Sequence, residues 1–581
     1  MPNPNAPAEK PKQPNLFALL APYKWTVIIL ASLAVAMNVF NLALPKILSH
    51  GIDAFIRSQS ISKNITQYAV ITGLIFIFGY LQALVQTAVS ERVARDLRKT
   101  LAAKISKQSN PYIQKVTASK LLTNLTSDID SIKMFVAQAI VSIISSLVTI
   151  LGASIILMTI NWQLALAVIT IIPIIGGTFF FVLGKVRVLF VKSREVIDWL
   201  NKVINESILG SALIRVLNSQ QPEYQKFLAA NTNAKNLGLQ ILRLFASLIP
   251  VITFVANMAT LVILALGGHF VITGSMTLGD FTAFNSYIGI LIFPILIIGF
   301  MSNVIAQATA SYGRISEVLE TPDIKEEGTI KDKLRGDVEL KDINVVYAGK
   351  PALKDVSIKV AAGTKTAIIG PTAAGKTQLL YLLTGLIEPD SGSVLYDGHN
   401  IHEYDKAALH QQVGFVFQDS IMFNLSVQKN IAFNEAVSEA DMKKAVDTAE
   451  LHDFIEKLPN KMETIISERG SSLSGGQKQR IMLARALALN PKILLLDDFT
   501  ARVDKQTEQR ILDNVAKNYP GITLISVTQK ISSVESYDQI ILLMEGEVLA
   551  RGKHEELLKT SPEYVQIYNS QLSTTHYELQ T

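Results

Sequence analysis

Six long apolar runs in the first half of the 581-residue chain constrain its fold more than any other feature. Each run holds about 20 or more mostly apolar residues, the length that an α-helix needs to cross the hydrocarbon core of a bilayer. Buried helices of a soluble protein are the alternative, but six such runs in one half of a chain are hard to bury without lipid. The sequence therefore predicts six membrane-spanning helices. They are Trp25–Leu44, Tyr68–Val89, Met134–Ile160, Gln163–Leu183, Leu244–Ile272 and Phe281–Ala306.

Basic residues in the polar segments predict the orientation of these helices, because cytosolic loops are enriched in Lys and Arg. The short turns Asn161–Trp162 and Thr273–Thr277 hold no Lys or Arg, whereas the long segments after the second and fourth runs hold many. The first outer loop is less clear, because it carries Lys46, Arg57 and Lys63. The polar start of the chain lacks the apolar stretch of a signal peptide. We expect a multi-pass protein of the cell (inner or plasma) membrane with both termini in the cytosol.

Amide side chains account for most of the polarity inside the apolar runs. Such amides line a substrate cavity or join helices by hydrogen bonds, and for any single one we favour the packing role. The runs hold few ionisable groups, which argues against a proton- or cation-conducting path. The amides considered are Asn38, Asn41, Gln82, Gln86, Gln138, Asn257, Asn285 and Asn303.

The second half of the chain has a different character. After a charged linker, short β-rich runs alternate with helical stretches, which is typical of an α/β domain with a largely parallel sheet. We therefore predict an N-terminal all-α transmembrane domain of six helices and a C-terminal α/β P-loop nucleotide-binding domain. The predicted segments are a cytosolic tail at 1–20, the transmembrane domain at 21–320, the linker at 321–336 and the nucleotide-binding domain at 337–581.

Charge and cysteine content exclude several other classes of function. The net charge of +5 is small for this length and gives no argument for binding nucleic acid. The chain has no cysteine, which excludes disulfides, thiolate nucleophiles and cysteine-based metal sites. Chemistry must therefore come from other side chains.

A phosphate-binding loop follows the strand-like run Thr366–Ile369. The segment Gly370–Thr377 matches G-x-x-x-x-G-K-[ST], in which glycines let backbone amides close around phosphates at a helix N-terminus. In this motif Lys376 reaches the β- and γ-phosphates and Thr377 binds Mg²⁺. The residues predicted to surround the phosphates are Gly370, Thr372, Ala374, Gly375, Lys376, Thr377 and Gln378.

Two adjacent carboxylates end a second apolar strand, in the stretch KILLLDD. Asp497 follows four apolar residues and fits the role of holding Mg²⁺, through water. An ordinary strand-end carboxylate is the alternative, which the phosphate loop earlier in the chain makes less plausible. Asp498 stands where a general base is usually a glutamate.

Further motifs resemble those of the ATP-binding cassette (ABC) family. The stretch LSGGQKQRIMLARAL, Leu473–Leu487, resembles the family signature and directly precedes the strand that ends at Asp497. Six membrane helices followed by one cassette resemble an exporter-type (type IV) half-transporter, with ATP and Mg²⁺ as the implied ligands. The resemblance also implies adenine stacking by Tyr347, Mg²⁺ binding and contact with the membrane domain by Gln418, a partner-facing segment at Ser467–Gly470, and a loop aspartate at Asp504.

The family pairs two cassettes head to tail, so that each ATP lies between the phosphate loop of one chain and the signature of the other. The resemblance therefore implies that the signature residues of this chain contact ATP bound by its partner. These residues are Ser474, Gly475, Gly476 and Gln477.

The chain departs from the family pattern at two positions near the attacking water. The family has a glutamate after Asp497, and the shorter Asp498 reaches less far; an error of about 1 Å can cost on the order of 100-fold in rate. Gln529 stands in place of a histidine, and a glutamine carries neither a transferable proton nor a positive charge. Ala373 and Gln378 replace a usual glycine and a usual serine or threonine. These two changes are milder and leave the loop able to bind ATP. Asp498 and Gln529 predict a site that binds ATP and hydrolyses it poorly.

A weakened hydrolytic site beside an intact signature predicts a different partner chain. A partner with the glutamate and histidine would use Ser474 and Gly476 of this chain to complete one competent site. We therefore expect the degenerate-site subunit of a heterodimeric, multidrug-type ABC exporter. The family implies hydrophobic or amphipathic cargo (drugs, lipids or peptides), moved by alternating access. A slow homodimeric exporter and an ATP-gated regulatory or channel subunit are the alternatives; the few charged residues in the runs argue against a channel.

Overall fold

The computed structural model of the protein describes residues 16, 18–324, 328–347, 349–434, 436–467, 470 and 472–578. These residues form two compact units. The first unit contains the chain up to residue 322 except for 108–116. The second contains residues 108–116 and the chain from residue 323 onward.

Helices build the first unit. Short π-helical turns join some of them, so that consecutive helices form six long rods. The helices are α1 (Lys24–Ile56), α2 (Ser62–Ser106), α3 (Asn110–Val116, in the second unit), α4 (Ala118–Thr123), α5 (Ile129–Met134), α6 (Ile140–Ile160), α7 (Trp162–Ile169), α8 (Ile171–Leu209), α9 (Ser211–Val216), α10 (Gln220–Val262), α11 (Gly268–Ile272) and α12 (Leu278–Glu320). The rods are Ala18–Ile56, Ser62–Ser106, Ala118–Ile160, Trp162–Leu209, Gln220–Ile272 and Leu278–Glu320.

All six predicted apolar runs lie within one rod each, and the rods are apolar and long enough to cross a membrane. The rods hold 39 to 53 residues, however, which is about twice what a membrane span needs. In α2 the polar extension stays helical because Val93, Leu97 and Leu101 recur on one face and are buried. Lys46, which we expected in an outer loop, lies inside α1, where its ammonium group pairs with Asp280 at 2.8 Å.

A buried carboxylate joins the third rod to the sixth. Asp128 is 2% exposed, and its Oδ1 accepts a hydrogen bond from the Ser311 hydroxyl at 2.9 Å. Arg314 donates from Nε to Oδ2 at 3.0 Å and from a second nitrogen to Oδ1. Because water cannot reach this carboxylate, the guanidinium group is its main source of compensation.

Removing this guanidinium group should therefore destabilise the first unit. Asp128 is buried but the Arg314 side chain is 44% exposed. We therefore expect Arg314→Leu to cost less than the roughly 3–5 kcal/mol of a fully buried pair, because the only buried charge left unpaired is that of Asp128. The thermal unfolding midpoint of the detergent-solubilised protein should fall by several degrees. The matched control is Arg98→Leu, which removes the Arg98–Asp130 ion pair at 2.7 Å, whose side chains are 43% and 58% exposed. That pair should contribute no more than about 1 kcal/mol, so equal shifts in the two variants would show that burial of Asp128 does not make its pairing with Arg314 more stabilising.

Two sheets and a set of short helices build the second unit. The smaller sheet has the antiparallel order β2-β1-β4-β5, and the larger has the mainly parallel order β10-β9-β3-β8-β7-β6. The strands are β1 (Val338–Tyr347), β2 (Lys350–Val360), β3 (Lys365–Ile369), β4 (Ser391–Tyr396), β5 (His399–Asn400), β6 (Val413–Val416), β7 (Ile493–Asp497), β8 (Thr523–Thr528), β9 (Gln539–Met544) and β10 (Glu547–Gly552). The helices are α13 (Lys376–Leu383), α14 (Lys406–Gln412), α15 (Val427–Ile431), α16 (Glu439–Thr448), α17 (His452–Glu456), α18 (Gly475–Leu487), α19 (Lys505–Asn518), α20 (His554–Thr560) and α21 (Pro562–Glu578).

The register of the larger sheet brings four strand ends to one edge. Every residue of β7 and β8 is buried, as expected for parallel strands covered on both faces. Ile369 pairs with Thr528, Asp497 with Val527, and Val416 with Leu496. The residues that follow β3, β6, β7 and β8 therefore lie side by side. The predicted fold class, an all-α half with six apolar helices followed by an α/β half, is confirmed.

Candidate nucleotide site and transmembrane cavity

The phosphate loop turns sharply between β3 and α13. Gly375 has a φ of +95°, and a Cβ there would come within 2.5 Å of the Ala352 carbonyl oxygen. A Cβ on Gly370 would come within 2.0 Å of the Leu543 carbonyl oxygen. Only glycine fits these close approaches, and the loop ends where α13 presents its first backbone amides.

The side chain of Lys376 folds back into this loop. Its ammonium group donates hydrogen bonds to the carbonyl oxygens of Gly370 at 2.8 Å and Pro371 at 2.7 Å. Burial lowers the pKa of Lys376 below its ordinary value, whereas the charges of Asp498 and Asp497 act in the opposite direction. The structure thus places a cation between the loop carbonyls and the two strand-end acids.

Asp497 lies at the end of β7 and is 2% exposed. Burial raises its pKa above the ordinary value, whereas a hydrogen bond with the Thr377 side chain and the charge of Lys376 lower it. Among the described residues, its Oδ2 has no hydrogen-bond partner although it is buried. A carboxylate oxygen without a partner beside a hydroxyl group offers the hard oxygen donors that Mg²⁺ prefers.

Three more predicted residues follow neighbouring strand ends. Asp498 has a left-handed backbone with a φ of 47°, and its amide donates to the Val527 carbonyl at 2.9 Å. Gln529 follows β8 and is exposed, and its carbonyl accepts a hydrogen bond from Gln571 at 2.7 Å. Gln418 is exposed shortly after β6. All three therefore lie along the edge that carries Asp497.

The other predicted nucleotide contacts are distributed around the loop. Tyr347 is 50% exposed at the end of β1. Thr372 is exposed in the loop, Ala374 is buried, and Gln378 is half-buried in the first turn of α13. The Gln378 side-chain oxygen is buried without a partner among the described residues. The loop thus mixes exposed and buried members of the predicted set.

Sequence reasoning missed Tyr381 and Asp419. Burial raises the pKa of Tyr381, and the charges of Asp497 and Asp419 raise it further. The Tyr381 phenol therefore lies within the electrostatic influence of Asp497, the predicted Mg²⁺ ligand. Tyr381 is an aromatic position within α13, a pattern that periodicity assigns to packing, so no motif signalled it.

The signature stretch forms the start of α18. The Ser474 hydroxyl accepts a hydrogen bond from the Gln477 amide at 3.3 Å, and the Gln477 side chain accepts one from the Ser474 amide at 2.8 Å. This reciprocal capping box fixes the helix N-terminus at Gly475 and Gly476. Asp504 caps α19 through the Thr507 amide at 2.9 Å, which holds the pKa of Asp504 below its usual range.

The partner-facing segment predicted at Ser467–Gly470 is only partly described. Residues 468 and 469 lie outside the described residues. The Gly470 amide donates to the Ser467 carbonyl at 2.7 Å. The role predicted for this segment therefore stays a prediction.

The first unit contains a cavity of about 700 Å³ between its first, second, third and sixth rods. Among the described residues, its lining holds amides and hydroxyls but no Asp, Glu, Lys, Arg or His. Asn38 donates to Ser145 at 2.9 Å and accepts from Thr149 at 3.1 Å, so this amide joins helices. Gln86 likewise donates to the Ala137 carbonyl. The Gln82 side-chain oxygen, by contrast, is buried without a partner in the described part of the chain.

Comparisons with known proteins agree with a chain that combines six apolar rods with a candidate nucleotide-binding site. The model of the ABC transporter transmembrane region matches residues 27–295, and the ABC transporter model matches residues 353–501. The chain is 33% identical over 565 residues to the uncharacterized ABC transporter ATP-binding protein YfiB of Bacillus subtilis, covering 95% of this chain and 98% of that protein. The chain therefore belongs to the ABC transporter family.

Two further similarities are to a curated relative and to a solved structure. The chain is 29% identical to an ATP-dependent lipid A-core flippase of Syntrophus aciditrophicus, covering 85% of this chain and 82% of that one. A solved bacterial Atm1-family ABC exporter with ATP bound superposes with a TM-score of 0.78 at 24% identity, covering 95% and 99% of the two chains. The fold is thus that of an ABC exporter, with a multi-pass membrane domain and an ATP-binding domain.

Because of the backbone conformation of the phosphate loop, substitutions at two neighbouring positions should have opposite effects on ATP binding. We expect Gly375→Ala to abolish binding of a fluorescent ATP analogue, because the new Cβ would collide with the Ala352 carbonyl. Ala373 already has a left-handed φ of 65°, which costs a non-glycine residue roughly 1–2 kcal/mol. Ala373→Gly relieves that strain and should keep or tighten binding. If both variants lost binding equally, backbone geometry would not be the controlling factor.

Proposed function

We propose that this chain is the ATP-binding subunit of an ATP-driven exporter that pairs with a different half-transporter. Its own site binds ATP with little hydrolysis, while its signature completes the competent site of the partner. One combination of features carries this proposal. The signature helix keeps its capping box between Ser474 and Gln477, whereas Asp498 and Gln529 replace the hydrolytic glutamate and histidine in the same cassette.

ATP binding in this proposal uses the groups gathered around the phosphate loop. Lys376 leaves the loop carbonyls to contact the β- and γ-phosphates, and Tyr347 stacks on adenine. Thr377 and Asp497 hold Mg²⁺, with Gln418 joining through water. The orphaned Oδ2 of Asp497 supports this assignment, because a metal ion would supply the partner that the protein lacks. Bound Mg²⁺ would neutralise charge on the phosphates.

Slow hydrolysis follows from the residues beside the attacking water. The Asp498 carboxylate is one methylene shorter than that of glutamate, so it holds the water less well in line with the γ-phosphate. Gln529 contacts the phosphate only as a neutral hydrogen-bonding group. Both changes affect the reacting water and leave the phosphate contacts in place. This site therefore holds ATP and keeps the cassettes together.

The partner completes the second site. Its cassette supplies a glutamate and a histidine, and this chain contributes the Ser474 hydroxyl and the amides of Gly475 and Gly476 to the γ-phosphate. The Gln477 side chain stabilises the N-terminus of this helix by accepting a hydrogen bond from the Ser474 amide. The loop aspartate Asp504 lies at the cassette interface. Hydrolysis at this single site resets the transporter.

The cargo proposed for this exporter is hydrophobic or amphipathic. The uncharged lining of the first-unit cavity supports cargo without a strong net charge, since a charged molecule would lose hydration without gaining an ionic partner. The similarity to a lipid A-core flippase makes a lipid-like compound a reasonable member of this class. We propose that ATP binding turns the cavity outward and that both chain termini lie in the cytosol.

ATPase assays on the reconstituted heterodimer test the division of labour. We expect Asp498→Ala to leave turnover nearly unchanged, because this chain's site contributes little to it. Loss of the partner's glutamate should lower turnover by about 10²–10⁴-fold, as expected for removal of a general base. Binding of ATP to the Asp498→Ala chain, measured by filter retention of labelled nucleotide, controls for loss of the site itself. Equal losses from the two substitutions would refute the proposed roles.

ATP turnover and a conductance measurement together distinguish the alternatives. A homodimer predicts steady ATP turnover by this chain alone, and Asp498→Ala would then abolish it. An ATP-gated channel predicts ATP-dependent current across a planar bilayer without transport-coupled hydrolysis. The heterodimer predicts turnover only when the second half-transporter is present.

A further inference from the structure

A second pocket of the ATP-binding unit lies at the opposite edge of the large sheet from the nucleotide site. Its volume is about 630 Å³. Gln412, Lys492 and Ile522 line it, and these residues directly precede β6, β7 and the first residue of β8. The nucleotide-binding groups instead follow the carboxyl ends of these parallel strands. The pocket is therefore separate from the ATP site.

Four lysines from three stretches of the chain line this pocket, and the described residues of its lining include no aspartate or glutamate. Lys331 and Lys333 precede β1, Lys444 lies on α16, and Lys492 lies in the loop before β7. Lys331 has an acidic neighbour, Asp405, at 3.8 Å. Among the described residues, no carboxylate oxygen lies within 4.0 Å of the ammonium groups of the other three.

Two of these lysines are half-buried and held by neutral groups. The Lys444 ammonium lies 3.9 Å from the centre of the Tyr519 ring and donates to the Asn490 side chain at 3.0 Å. The Lys492 ammonium donates to the Gly521 carbonyl at 2.7 Å. Neither set of contacts neutralises the positive charge. The concave surface therefore has a positive potential, which favours a multivalent anion.

Hydrogen bonds fix the floor of the pocket before any ligand arrives. The Gln412 side chain accepts from the Leu334 amide at 2.8 Å and donates to the Asp332 carbonyl at 3.1 Å. The Gln412 carbonyl accepts from the Lys492 amide at 2.8 Å. The segment before β1 is thus tied to α14 and to the loop before β7. A preformed site loses less conformational entropy when it binds its ligand.

We propose that this pocket binds a small ligand carrying several phosphate groups. Its volume is in the range of small-molecule sites, roughly 300–1,000 Å³. Lysine ammonium groups bind phosphate as point charges, and several phosphates on one molecule contact several lysines at once. All lining residues belong to one cassette, so binding here depends neither on the partner chain nor on the rate of hydrolysis.

Titration calorimetry with tripolyphosphate tests this proposal on the full-length Lys376→Ala protein in nanodiscs without Mg²⁺. The Lys376→Ala substitution weakens phosphate binding in the nucleotide site, so that the remaining binding reports the pocket. We expect saturable binding that weakens by at least about tenfold in the added double variant Lys333→Gln/Lys444→Gln, since two of the four lysines that line the pocket lose their charge. The charge-preserving variant Lys333→Arg/Lys444→Arg should keep the affinity.

The matched control removes two exposed lysines of the same unit that do not line the pocket, through Lys443→Gln/Lys559→Gln. The control should bind tripolyphosphate as the parent does. Absence of binding to the parent, or equal affinities of the pocket and control variants, would overturn the proposal. If the double variant unfolds at a lower temperature than the parent, single Lys333→Gln replaces it, because this exposed side chain makes no hydrogen bond or ion pair among the described residues.

A lipid headgroup is the other source of phosphate chemistry. The titration is therefore repeated in nanodiscs of phosphatidylcholine and in nanodiscs that also contain phosphatidylglycerol. Equal affinities for tripolyphosphate in the two kinds of nanodisc would support a free phosphate ligand. A weaker affinity in the anionic discs, seen only when Lys333 and Lys444 are present, would assign the pocket to lipid and overturn the proposal for a free ligand.

Discussion

The pairing of β3, β8, β7 and β6 in one parallel register is the constraint on which the ATP-binding unit depends. It aligns the ends of these strands, so that Gly370, Asp497 and Gln529 emerge at one edge. Every residue of β7 and β8 is buried. A slip of one residue would turn each side chain to the other face of the sheet and separate Asp497 from Lys376. The core of the sheet therefore specifies the geometry of the site.

Features with short-range signals could be predicted from the sequence. The six rods follow from the length of the apolar runs, and the phosphate loop follows from glycines and a lysine at fixed spacing. Features that depend on distant partners could not. Lys46 resembles a loop residue until its partner Asp280, 234 positions away in the chain, is known. In the sequence Tyr381 resembles a packing residue of α13, because the carboxylates that raise its pKa, Asp497 and Asp419, lie near the ends of other strands.

The backbone holds further information that the sequence does not. Ala373 and Asp498 both depart from the family pattern, and both have a left-handed conformation, with φ values of 65° and 47°. This conformation strains alanine by roughly 1–2 kcal/mol, whereas aspartate tolerates it better. Such strain persists only where the surrounding structure enforces it. The loop thus keeps the backbone path that a glycine would adopt more easily.

The separation of binding from hydrolysis in the proposed pair has a simple energetic basis. A hundredfold slower reaction corresponds to a barrier higher by about 2.7 kcal/mol, which changes at two side chains beside the attacking water can supply. In the proposed site, the affinity for ATP would depend instead on the loop amides, on Lys376 and on the buried Asp497. Because the two sets of groups share an edge of the sheet but not an atom, one can weaken while the other is kept. In the proposed pair, this cassette would retain ATP binding as a clamp and leave hydrolysis to the site that its own signature completes.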